Sequence, residues 1–98
     1  MIIRIVKMTF KPELVPQFEA LFEETKEQIR NFPGCNHLQL LRDVSHPHIF
    51  FTYSHWNSTD DLNNYRESAL FADVWPRTKK LFGGKPEAWS TEQKHILE

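Results

Sequence analysis

The chain predicts an α+β sandwich of order β-α-β-β-α-β, with helices on one face of a four-stranded antiparallel sheet. Three observations carry that reading. Short runs suited to strands stand at residues 2–10, 36–44, 49–56 and 85–92. Between the first two runs, and again between the last two, apolar residues recur at three- and four-residue spacing, the mark of an amphipathic helix. The middle pair is separated only by Ser45-His46-Pro47-His48, which suits a hairpin connection and leaves no room for a helix.

Residues 2–10 are rich in β-branched side chains and end at Lys11-Pro12. Ile3 and Ile5 point to one face, and Val6, Met8 and Phe10 to the other. Both faces are therefore apolar and both need cover. Residues 12–31 follow as a helix. Leu14, Phe18, Leu21, Phe22, Thr25 and Ile29 form its core stripe, while Glu19, Glu23, Glu24, Lys26, Glu27 and Arg30 fill the other side. Pro16 fits only in the first turn, where its missing N–H is not needed. Phe32-Pro33-Gly34-Cys35 then makes a turn, with Pro second and Gly free to take positive φ third. Cys35 reads as a small packing residue.

The strands at 36–44 and 49–56 pair antiparallel, and Trp56-Asn57 ends the second. Ser58 is a good N-cap, and Asp60 and Asp61 suit the dipole of the helix that follows. Leu62, Tyr65 and Arg66 share a face. Ser68 is placed to restart or kink the helix, and Phe71, Val74, Trp75, Thr78, Leu81 and Phe82 continue its stripe. Pro76 disfavours helical geometry at Trp75, which predicts a break or bend there. Gly83-Gly84 is expected to stop the helix. The last strand carries Trp89. This order is the split βαβ of a ferredoxin-like sandwich. Its helices cover one face, and a homodimer placing sheet against sheet would cover the other.

At 98 residues the chain is read as one domain, 1–98, with about residues 93–98 a C-terminal tail. The net charge of -1 leaves no electrostatic footprint for nucleic acid. A single cysteine excludes an intramolecular disulfide framework and a Cys-rich zinc site. Arg4 and Lys7 interrupt the apolar opening run, and no stretch reaches membrane-spanning length. The expectation is a cytoplasmic protein with no membrane partner. Eight Phe residues call for a dense core or a second subunit.

The stretch from Tyr53 to Trp75 holds two of the three Trp residues and both Tyr residues. It crosses from strand to helix, so its aromatics converge where sheet meets helix, on a core or on a site. Three segments, in this order and spacing, resemble the antibiotic-biosynthesis monooxygenase domain and its dimeric α+β barrel relatives. They are IIRIVKMTFKPE, FPGCNHLQLLRD and YSHWNS…LNNYRESALFADVW. The resemblance spans nearly the whole chain. It implies a pocket between sheet and helices in each subunit. In relatives such a pocket oxygenates quinols and similar polycyclic phenols without flavin or metal, degrades haem, or handles small carbonyl compounds. Haem-degrading members carry an Asn on the first strand, a Trp on the second helical segment and a His ten residues later. Here residues 1–10 contain no Asn, Tyr65 stands at the Trp-like position and Trp75 where the His would be. Haem degradation is rejected on that ground. Some quinol-oxidising relatives have a His at the position of Tyr65, so that role does not carry over either.

Roles must then come from the residues. His37 and His55, both on strands, are the candidate bases, with a structural place or a dimer-interface place as the alternative. Tyr65 is a candidate hydrogen-bond donor to a substrate oxygen, or else a core tyrosine. Trp56, Phe71 and Trp75 are the candidate walls, and Arg66 either holds an anionic substituent or makes a surface ion pair with Glu67 or a nearby Asp. His46 and His48 form an H-x-H in a turn without a third ligand in register, so no metal is expected. No haem or flavin is expected either, for want of a haem-binding His and of a phosphate-cradling Gly-rich loop. Two functions follow. One is a cofactor-independent monooxygenase acting on a small aromatic or quinol-like compound. The other is a non-catalytic dimeric module that binds a small aromatic ligand on the same fold.

Overall fold

A computed structural model describes residues 1–98. Its strands are β1 (Ile2–Thr9), β2 (Cys35–Arg42), β3 (Ile49–Trp56) and β4 (Glu87–Glu92), in the sheet order β2-β3-β1-β4 with every pair antiparallel. The helices are α1 (Val15–Arg30), α2 (Thr59–Arg66) and α3 (Ala69–Lys79), with a single 3-10 turn at Pro12–Leu14 leading into α1. This is the ferredoxin-like arrangement expected, with its second helical segment divided in two.

The division has a local cause. Ser58 caps α2 by accepting from Asp61 N, and Ser68 caps α3 by accepting from Phe71 N at 3.1 Å. The Ser68 hydroxyl also donates to the Tyr65 carbonyl at 2.6 Å, so one side chain satisfies the end of α2 and the start of α3. The break thus falls at Ser68 and none falls at Pro76. Of the break or bend expected at Trp75, the break is absent, because α3 runs through Pro76 to Lys79. Proline forfeits only its own N–H bond, while Lys80 N still donates to Pro76 O and Thr78 Oγ1 to Val74 O. Arg77 ties the same turn to α1 through Glu24 at 2.9 Å.

The glycines at 83 and 84 have a different task from the one expected. The helix has already ended at Lys79, and Gly83 N donates to Thr9 O at 2.8 Å, closing the chain against the end of β1. A Cβ at Gly83 would stand 3.1 Å from Lys11 N, tighter than side chains usually pack, so a bare backbone suits this close approach. Gly34 takes φ 91 in the turn before β2, as Pro33-Gly34 predicts, with Cys35 N bonded to Phe32 O.

Two clusters form the core, both on the helix-facing side of the sheet. Met8, Phe10, Phe18 and Phe50 make one, with Phe10 and Phe18 stacked at 4.1 Å between ring centroids. Cys35, Trp56 and Leu62 make the other, joined by Phe32 and Tyr65. Each fully buried aromatic contributes roughly 1.5–3 kcal/mol by leaving water. No helix is long and apolar enough to cross a membrane.

Candidate functional site

Strand alternation decides what the helices cover. Cross-strand pairing aligns Leu38, Ser54, Arg4 and Ser90 in one row across all four strands, and Leu40, Thr52, Val6 and Ala88 in the next. These rows face α1, α2 and α3. Between them and the helices lies a cavity of about 270 Å³, lined mostly by apolar side chains. That volume is just below the roughly 300–1,000 Å³ of small-molecule sites, enough for a compact aromatic ligand.

Trp56, Tyr65, Arg66, Phe71 and Trp75 all line this one cavity. Trp56 is 1% exposed, its Nε1 donating to Ser54 Oγ at 3.0 Å, so its ring is fixed from both ends. Tyr65 stacks on Trp56 at 5.0 Å and meets Phe71 edge-on at 5.3 Å. Phe71 in turn lies 5.7 Å from Trp75. The aromatic wall is thus continuous from β3 to α3. Burial pushes the Tyr65 phenol up to about 12, with the nearby Cys35 adding to the shift. Side-chain bonding at this residue reaches only its carbonyl, from Ser68, so the hydroxyl is left free, and at neutral pH it keeps its proton and can donate.

His37 and His55 are not in the cavity. Both project from the opposite face of the sheet, where their rings lie 4.8 Å apart beside Tyr53. The reason is the two-residue period of a strand: once Trp56 faces the helices, His55 must face away. On β2 a register shift between Cys35 and His37 reverses the alternation, so Cys35 packs with Trp56 while His37 lies opposite His55. The structure therefore corrects the expectation of a histidine base inside the pocket and leaves both alternatives, a structural place and an interface place, open to the pair. No imidazole or carboxylate lines the cavity at all.

Arg66 corrects a second expectation, since it makes no ion pair with Glu67 or any Asp. Arg4 is the lining residue that the sequence reading passed over. It sits half-buried on β1, its Nη1 donating to Ser90 Oγ at 3.0 Å. A signal for it was present: Arg4 shares the parity of Val6 and Met8, and a charge on the covered face of a strand needs a reason. Burial and the Arg66 charge hold its pKa below the ordinary arginine value. Cys35 is buried, and burial raises its thiol, as befits a packing residue. His46 contacts Asp43 at 3.4 Å in the β2–β3 loop, and nowhere do three His, Cys, Asp or Glu side chains gather as a metal site.

Comparison with known proteins agrees with this architecture. The family described as antibiotic biosynthesis monooxygenase matches over residues 1–75. No curated protein matches the chain. Among solved structures, a conserved protein from Methanosarcina mazei is 23% identical, covering 96% of this chain and 94% of its own at a TM-score of 0.89. An antibiotic biosynthesis monooxygenase is 20% identical, with 95% and 98% covered and a TM-score of 0.89. A Mycobacterium tuberculosis protein is 13% identical, with 99% and 98% covered and again 0.89. At these identities the likeness is one of fold.

Proposed function

The chain belongs to the antibiotic biosynthesis monooxygenase family, and from that premise we propose that it oxygenates a small aromatic or quinol-like compound without flavin or metal. The observation that carries this is the cavity itself: a continuous wall of Trp56, Tyr65, Phe71 and Trp75 with an unpartnered phenol among them. In this reading the substrate supplies the electrons. A hydroquinone and dioxygen give a hydroxyquinone and water, one oxygen atom entering the ring and the other leaving reduced. Tyr65, held protonated, donates to the oxygen on which negative charge develops. The aromatic wall fixes the ring plane and keeps water away from the reacting carbon. Because no protein base faces the cavity, the substrate must ionise through its own acidity, which favours electron-rich and acidic phenols.

A non-catalytic binding module is the second reading, and the same missing base favours it. Oxygen uptake with a panel of one- and two-ring hydroquinones, in the presence of a metal chelator, separates the two. Uptake with each turnover consuming one dioxygen supports the enzyme. Saturable quenching of Trp fluorescence without uptake supports the module.

For the outer sheet face we propose a second copy of the chain as cover. Trp89 is 46% exposed and Leu41 44% exposed on that face, and Ile3, Ile5, Phe51 and the His37–His55 pair lie among them. A face of that composition is suited to burial against its own copy.

A further inference from the structure

The charged groups on the cavity wall are two arginines and nothing else. Neither meets a carboxylate, although the chain forms ion pairs elsewhere through Lys7, Lys26, His46 and Arg77. Arg4 rises from the middle of the sheet, flanked in its row by Ser54 on β3 and Ser90 on β4. Arg66 comes from the opposite wall, as the last residue of α2. Two like charges bordering one apolar space repel each other, and the more buried of them also loses hydration. Both penalties shrink when an anion sits between them. Guanidinium groups are suited to that role, because their planar fork pairs with a carboxylate through two hydrogen bonds.

We propose that the cavity takes a one- or two-ring aromatic carboxylate, its anionic group held by Arg4 and Arg66 and its ring laid against Trp56, Tyr65 and Trp75. This deepens the proposed function by naming the ligand class, and it rests on the cavity being the ligand site. The volume of about 270 Å³ has room for such a molecule. The serine row gives the arrangement its orientation: Ser90 accepts from one Arg4 nitrogen and leaves the remaining donors for a ligand.

The test compares 2-naphthoate with the neutral, nearly isosteric 2-naphthamide, each titrated into the full chain at neutral pH while Trp fluorescence is followed. Charge-assisted bonds to two guanidinium groups should favour the carboxylate by about tenfold or more. That preference should shrink as salt is raised, and it should fall in Arg66→Gln, whose exposed position leaves folding intact. Arg4→Gln should do the same, with circular dichroism confirming that it folds. Equal affinity for the two probes would overturn the carboxylate assignment while leaving the aromatic pocket standing. No binding of either probe would overturn both. A preference untouched in Arg66→Gln would remove Arg66 from the subsite and with it the paired-arginine arrangement.

Discussion

At the scale of the residue, Tyr65 and His55 show how much depends on which way a side chain points. Trp56 and His55 were both candidates for the same pocket, yet adjacent residues of a strand cannot face one cavity. Choosing Trp56 as the buried member already sends His55 outward, so that correction was legible in the sequence. The placement of His37 was not, because it depends on the register shift after Cys35, which no residue type announces. Tyr65 was legible as a helix residue sharing a face with Leu62, and its contact with Trp56 follows from where β3 ends. Tyr65→Phe should keep the stacked ring and lose only the hydroxyl. A phenolic ligand should then bind more weakly by about 0.5–1.5 kcal/mol, the net worth of one neutral hydrogen bond. Urea unfolding should move little, since the one side-chain hydrogen bond at Tyr65 goes to its carbonyl and not to the hydroxyl. A large loss of stability with binding unchanged would make Tyr65 a core residue and weaken the case for a site.

At the scale of the element, the chain reads well wherever the signal is local. Ser58, Ser68 and Pro33-Gly34 each mark a boundary that the structure uses, because a cap or a turn is settled within a few residues. Pro76 and Gly83-Gly84 misled for the opposite reason. Contacts from α1 and β1, distant in sequence, decide whether a helix tolerates a proline and what a glycine pair is for. Arg4 belongs with these: its charge was visible, but its neighbours Ser90 and Arg66 come from the far end of the chain and from another helix. The turn at Gly34 allows a sharp test. A Cβ there would stand 2.5 Å from Asp61 Cβ, on a backbone at φ 91 that side chains rarely adopt. Gly34→Ala should therefore cost about 1–3 kcal/mol and push α2 away from the turn. It should lower the urea midpoint with the slope unchanged. An unchanged midpoint would mean that the turn is free to relax.

At the scale of the whole molecule, the sheet divides the chain's chemistry between its two faces. The cavity side carries the aromatic wall and the arginines, and the outer side carries His37, Tyr53 and His55. His55 lies across from Ile3 on β1 and His37 on β2, and its Nε2 is buried without a partner. The charged strand residues on this face, Lys7 and Glu87, pair with each other at 3.7 Å, and no carboxylate faces the imidazole. Burial, with His37 beside it, holds the His55 pKa below its ordinary value. The sign follows directly. The unfolded chain binds this proton more readily than the folded one, so stability falls as pH drops below about 6.5 and levels off once the folded imidazole is itself protonated. If a second copy covers the face, dissociation also exposes His55, and the dimer should weaken over the same range. Sedimentation at micromolar concentration should show a dimer near neutral pH and a shift toward monomer at about pH 5. His55→Gln, which cannot take up the proton, should flatten that response. A monomer at neutral pH, without aggregation, would count against the sheet-to-sheet dimer. A dimer equally tight at both pH values would place the histidine pair outside the contact.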